Sequence, residues 1–588
     1  MLSRRKLLSM VLIMFVLLAL YMFTQVYVSS AADYDVNPYA AAVTLRRSDS
    51  WEAEAGGGTA RRMVLIGGAE SGIGGIVTQW CTYAKRPLNC YSSLSEYLAA
   101  DNGGAQVLCI DPRCLSLPED EARLAELAGR DLTVIFCALP DADTVIRSPA
   151  LRALLGVEDI ERKQTPLTGV YLYEGFLLGG EALYGRDTGM DVDMEIPWYR
   201  LESGIKVYIT GLAHRAEADE GQDRRPAILW RNNEGRARVF AVNGDLMEDE
   251  TGLGLLAGMI AESSSYLLYP VVNAQNLTVA DYPSFATENS AELQRIYASS
   301  HRLLLQNTVW QGLLAVSERS GFKMTCFLTM HLRGAEEAPR TADLEYYMRQ
   351  LGERGGEAGR SADGSGSDSP VSQWERDSAF LREAGSRYTH TAVYVGEDAA
   401  GFLSIAASGE VPDIRTVTSD SDRPLLSFLT EDITCQGLTH HANQYGFRED
   451  LKNRSIQTAI AYTNILLDLR RVTWPETEAD HWENYSREVL GNIETWWKPY
   501  SQFNKTTATE CDSSLRRFLA LGCEDRREGD TITLELSGRE GTVSFLLRTH
   551  DQEVQSMSGG TAARLEKNIW LLSIEENTAR IELRSGLS

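Results

Sequence analysis

The stretch "NAQNLTVADYPSF", residues 273–285, sets the reading of the fold. Leu277, Thr278, Val279 and Ala280 form a short strand-like run that delivers one carboxylate, Asp281, into a Tyr-Pro turn. Asp281 reads either as part of a metal-dependent hydrolase site or as the residue that ends a strand. The run is followed by "AELQRIYASSHRLLLQNTVWQGLLAVSERSG", 291–321, with apolar residues at helical spacing, and then by the strand-like "FKMTCFLTM", 322–330. Strand, helix, strand is the rhythm of a parallel β/α sheet.

Working outward, the same rhythm appears on both sides. "MVLIGG", "QVLCID" and "LTVIFCALP" alternate with helical stretches such as "EDEARLAELAGR", so 62–266 reads as an amidotransferase-like or flavodoxin-like α/β domain. Residues 267–524 read as a β/α barrel that includes a long helix in "FREDLKNRSIQTAIAYTNILLDLRRV". Within it, 352–372 is expected to be a disordered insertion, because alanine is the only apolar residue type in its Gly/Ser-rich "GERGGEAGRSADGSGSDSP", 352–370. The tail, 525–588, alternates apolar and polar residues in "DTITLELSG", "GTVSFLLRTH" and "IWLLSIEE", which predicts a small β module.

At the amino end, Arg4, Arg5 and Lys6 precede an uncharged run, Leu7–Val28. A hydrocarbon core of about 30 Å needs about 20 apolar helical residues, so residues 1–30 are expected to be a cytoplasmic tip and single transmembrane anchor. That would place the bulk of the chain outside the cell membrane. Residues 31–61 carry "AEAGGGTARR" and no apolar period, and read as a stalk.

The net charge of −25 excludes a nucleic-acid partner and an anionic membrane surface, and leaves cationic polymers as ligands. Nine cysteines show no C-x-x-C spacing, which excludes a sequence-readable zinc ribbon or disulfide framework. "GGAESGIGG", 67–75, follows the first strand but spells no phosphate-binding motif, and reads as a tight turn. Cys137, at a strand end, lacks the surroundings of a nucleophile elbow.

The second unit resembles polysaccharide deacetylases in its chain order: strand, acidic turn "ADYPSF", helix, then "GFKMTCFL". The resemblance implies an Asp-Asp pair and an H-x-x-x-H motif around a divalent metal such as zinc, nickel or cobalt, which polarises an acetamide while the first Asp takes the proton of water. Here the pair is Ala280-Asp281, so only the metal-ligand position is kept. "SRYTH" places Ser386 and His390 on the histidine motif, and "THHANQY" offers His440 and His441 side by side. Glu431 and Asp432 are candidate substitutes for the missing base. The whole arrangement, with "LYPVVNAQNLTVADYPSF" and "FNKTTATECDSSLRRFLALG", resembles the domain of unknown function 2194 family. That resemblance implies a role in Pel-type exopolysaccharide production in Gram-positive bacteria, beside synthase or export membrane proteins.

"WPETEADHWENYSREVLGNIETWWKPY", 474–500, gathers Trp474, Trp482, Trp496, Trp497 and Tyr500 among acids. Such rings stack on sugars, or they pack a helix against a barrel. "TTATECD", 506–512, reads as a helix cap. Two functions follow: a non-catalytic polysaccharide-binding or assembly protein with a degenerate deacetylase fold, or a metal-dependent de-N-acetylase. The lost Asp and the broken histidine motif favour the first.

Overall fold

The computed structural model describes residues 13–18, 36–40, 45, 62–70, 72–100, 105–213, 225–280, 282, 290–330, 340–362, 370–396, 402, 405–406, 411, 413–420 and 424–585. Strands β1 (Met63–Ile66), β2 (Leu88–Tyr91), β3 (Val107–Ile110) and β4 (Thr133–Phe136) are parallel. They join β5 (Gly169–Leu172), β6 (Ala182–Gly185), β7 (Lys206–Leu212), β8 (Ala227–Glu234) and β9 (Ala237–Val242) in one sheet of order β2-β1-β3-β4-β9-β8-β7-β5-β6. Helices α1 (Gly72–Tyr83) and α2 (Thr251–Glu262) cover one face. From Thr251 to Ala261 every residue of α2 is buried, because the barrel covers its other side.

The barrel is built from β10 (Ala274–Val279), β11 (Met324–Leu328), β12 (Glu357–Ser361), β13 (Ala392–Tyr394), β14 (Thr416–Ser419), β15 (Thr434–Gly437), β16 (His440–His441) and β17 (Tyr462–Leu467). Their order, β15-β14-β13-β12-β11-β10-β17-β16, is parallel throughout. Closure comes from a jog between β15 and β16: Leu438 N donates to Ser419 O on one side, and Thr439 N donates to Asn464 O on the other. One chain segment thus bonds both edges of the sheet. Helices α3 (Phe447–Ile460) and α4 (Trp482–Asn492) pack outside, and α5 (Ala508–Ala520) caps the amino end.

The first unit and the barrel meet where α2 crosses α3. Gly254 N donates to Ser455 Oγ at 2.7 Å, and a Cβ at Gly254 would collide with the Ser455 backbone. Glycine there sets the helix separation. Lys452–Glu250 at 2.8 Å and Arg448–Asp245 at 3.0 Å flank the crossing. The tail forms two four-stranded sheets, and one of them takes Tyr266–Val271 as an edge strand antiparallel to Val543–Thr549.

Three expectations need correction. The transmembrane anchor over Leu7–Val28, and with it the single-pass membrane placement, is not supported: among the described residues no helix is long and apolar enough to cross a membrane. Of that run only the helix at 13–18 is described, and six residues rise about 9 Å. The rest of the run lies outside the described residues. Secondly, 352–372 is not a disordered insertion as a whole, since it contains β12, buried at all five positions between β11 and β13. Its "EAGRS" sequence looks unstructured because the closed barrel leaves no room for bulk: a Cβ at Gly359 would strike the Phe327 ring. Residues 363–369 lie outside the described residues. Finally, residues 36–40 and 45 of the expected stalk lie against the barrel, with Asn37 buried.

Candidate functional site

All barrel strands end at one edge, where β/α barrels assemble their chemistry. Asp420 directly follows β14, His441 ends β16 and Asp468 directly follows β17. His441 Nε2 stands 3.4 Å from Asp420 Oδ2, with the two side chains 31% and 36% exposed. Behind the pair the barrel interior is polar and cross-linked. Thr278 Oγ1 donates to Asn464 Oδ1 at 2.7 Å, and Asn464 N donates to Thr439 Oγ1 at 3.0 Å, which holds β10, β17 and the jog together.

The jog also separates the adjacent histidines. His441 faces Asp420, whereas His440 turns to the helix layer, where its Nε2 meets Glu449 O at 3.0 Å and its ring lies against Tyr445 and Trp497. Burial, then Lys452, lowers the His440 pKa to about 3, so it is neutral at physiological pH. His390 precedes β13 at the opposite, amino edge. It is 7% exposed, its Nδ1 is 3.2 Å from Ala358 O, and burial followed by Arg360 brings its pKa to about 3. Glu431 and Asp432 lie in the hairpin that enters β15, also at the amino edge. Asp281 lies outside the described residues, and the strand leading to it ends at the edge opposite His390.

The three candidate histidines are therefore dispersed. Among the described residues no group of three or more His, Cys, Asp or Glu could hold a metal ion. Asp420 and His441 supply two donors, short of the three protein ligands of a catalytic zinc site. The described residues alone do not fit such a metal, and no step is derived through one.

The aromatic platform is not formed either. Trp482, Trp497 and Tyr500 are buried, and the Tyr500 hydroxyl donates to Leu178 O at 3.2 Å. Trp496 stacks on Tyr445 with centroids 4.4 Å apart and planes 14° apart, while Trp497 meets the edge of the same ring at 5.2 Å and 80°. A π-turn over Ile493–Trp497 widens the helix so that both neighbours reach Tyr445. Trp474 alone of the five is exposed, at 50%, seven residues beyond the end of β17.

Sequence reasoning missed Asp420 and Asp468. The signal was present: "RTVTSD", 415–420, is the same strand-then-acid pattern as "LTVAD". It also missed a cleft of about 550 Å³ at the carboxyl edge of the first sheet, lined by Asp141, Asp193, Glu195, Asp245 and Glu248 with Arg448 from α3. Cys137 is fully buried against Cys109 and far from any nucleophile's exposure.

No protein-family profile matches the chain, and no curated protein does either, so the likeness to the domain of unknown function 2194 family rests on the quoted motifs alone. Solved structures do match. The carbohydrate deacetylase Agd3 aligns over 90% of this chain and 99% of its own at a TM-score of 0.50 and 10% identity. A candidate polysaccharide deacetylase from Mycobacterium smegmatis covers 37% of this chain and 83% of its own, at TM-score 0.25 and 14% identity. A candidate glycoside hydrolase/deacetylase from Parabacteroides distasonis covers 48% and 82%, at TM-score 0.29 and 11% identity. The first likeness establishes the fold; the other two are too low to carry an argument.

Proposed function

We propose that this protein hydrolyses acyl groups from an amino-sugar polysaccharide at the carboxyl-end mouth of the barrel. The observation that carries this reading is the Asp420–His441 pair, about one third exposed at that edge of a fold shared with a carbohydrate deacetylase. The imidazole can take a proton from the water that adds to the acyl carbonyl carbon and pass it to the nitrogen as the C–N bond breaks, leaving a carboxylic acid and a free amine, with the facing carboxylate stabilising the imidazolium in between. Their 3.4 Å separation is loose for a hydrogen bond and would tighten on a bound substrate. Asp281 and a divalent metal belong to this proposal only as additions to that pair.

The purely binding reading loses part of its support, because Trp497 is buried and the partly buried Trp496 stacks on Tyr445. Trp474 remains as a surface ring on which a sugar could stack. The charge of −25 favours a polymer that becomes cationic as it is deacylated, and Pel-type exopolysaccharide is of that chemical class. Acetate release from N-acetylated hexosamine oligomers, assayed with zinc, nickel or cobalt added in turn, tests the proposal. His441→Gln and Asp420→Asn should each lower the rate about 100-fold or more. Absence of acetate release by the unaltered protein under every condition overturns it.

A further inference from the structure

The amino end of the barrel is closed twice over. The first closure is α5, which enters the barrel with its amino terminus: Ala508 N donates to Thr325 Oγ1 at 2.9 Å, and Thr509 N to Glu357 Oε2 at 3.0 Å. The helix is started by a capping box between Thr507 and Glu510. Glu357, fully buried, also accepts from the Thr509 and Thr391 hydroxyls, so the helix amino terminus and two threonines share one carboxylate. Further along, Asp512 accepts from Arg516 Nε at 2.9 Å and from Thr434 Oγ1 at 2.6 Å.

The second closure is made by residues 36–40 and 45. Asn37 opens a turn in which its own Oδ1 accepts from Tyr39 N at 2.9 Å, the usual use of an Asn-Pro pair. Its Nδ2 donates to Thr389 O at 2.9 Å and to Thr391 Oγ1 at 3.2 Å. Tyr39 donates its hydroxyl to Gly355 O at 2.7 Å, and its ring lies under Lys323 Nζ at 5.5 Å. Lys323 in turn pairs with Glu510 of α5 at 2.5 Å. Leu45 O accepts from Arg516 NH1 at 2.9 Å. Burial, then Glu510 and Glu357, pushes the Tyr39 hydroxyl up to about 12, so it stays a neutral donor.

These contacts share one address. Thr391 is hydrogen-bonded to Asn37 on one side and to Thr509 on the other; Lys323 touches Tyr39 and Glu510; Arg516 holds Leu45 and Asp512. We infer that Asn37, Tyr39 and Leu45 form a clasp, which binds the entries of β11, β12 and β13 and locks α5 into the amino end of the barrel. The chain therefore enters the fold at the pole opposite the Asp420–His441 mouth, and the clasp site is a peptide-binding surface whose occupant is the protein's own arm. The inference is independent of the acyl-hydrolase reading.

A protease site placed in the full chain between residues 46 and 61 tests it. After cutting, the arm of the unaltered protein should co-elute with the rest of the chain on gel filtration. In the Asn37→Ala/Tyr39→Phe variant the cut arm should separate. The apparent Tm of that variant should fall by roughly 2–8 °C, and amide exchange over 508–512 should speed about tenfold or more. An arm that leaves the unaltered protein as soon as it is cut overturns the clasp, and so does unchanged exchange in α5 once the arm has gone.

Discussion

The two poles of the barrel use the same residue types for opposite ends. At the amino pole Glu357 and Asp512 are fully buried and surrounded by threonines, arginines and a helix amino terminus. At the carboxyl pole Asp420 and His441 are about one third exposed, with His441 Nε2 3.4 Å from Asp420 Oδ2. Burial raises the pKa of Glu357 and of Asp512, with their hydrogen bonds opposing the shift. A carboxylate held on all sides is structural, because moving its proton or its position breaks the network around it. One that reaches solvent beside an imidazole can meet a substrate there. Polar side chains inside a barrel are thus no sign of a site by themselves; what matters is whether solvent and substrate can reach them.

Breaking the amino pole should have the largest effect on stability. Asp512→Ala leaves the buried Arg516 and the partly buried Arg415 without this carboxylate, so it should cost about 3–5 kcal/mol, read as a drop in the urea midpoint. A change near zero would mean that the pole is not a structural network. Trp497→Ala belongs to the same class, at about 3–5 kcal/mol, since it empties a site filled by a fully buried indole. If polymer binding fell instead while stability held, the ring would have to be a ligand platform after all.

The pH dependence sharpens the comparison further. His390 and His440 have folded pKa values of about 3 against an ordinary value of 6.5. A depressed folded pKa means that the unfolded chain takes up the proton first. Their contribution is therefore complete above pH 6.5 and is lost as pH falls from about 6.5 towards 3, at about 1.4 kcal/mol per pH unit for each histidine. Glu357 and Asp512 act in the opposite sense at lower pH, where raised carboxyl pKa values favour the protonated folded form. Denaturation at pH 7 and pH 5.5 should show the histidine slope, and His390→Gln should roughly halve it. An unchanged slope would remove His390 from the account.

The smallest stability change belongs to the mouth. Asp420→Asn should alter unfolding by less than about 1 kcal/mol, because the ion pair is partly exposed, while acetate release falls steeply. Trp474→Ala should likewise leave unfolding unchanged and weaken binding of an amino-sugar oligomer by several-fold. Equal losses of stability and activity in Asp420→Asn would make the two poles alike.

What the chain determined by itself is local. Strand-and-helix alternation is legible because hydrophobic periodicity is written in adjacent residues, and "TTATECD" is legible as a cap because Thr507 and Glu510 satisfy each other's backbone within one turn. The tertiary structure decided the rest. Which of His440 and His441 faces the mouth depends on a two-residue jog that bonds β14 on one side and β17 on the other. Trp496 and Trp497 both reach Tyr445, some 50 residues earlier in the chain, across a π-turn, Trp497 buried and Trp496 partly so. "EAGRS" carries a glycine at 359 because the Phe327 ring occupies the space a Cβ there would fill, and the strand is buried at all five positions. In each case the deciding partner is distant in sequence, and side-chain direction, closure and free volume are properties of the packed barrel rather than of any short segment.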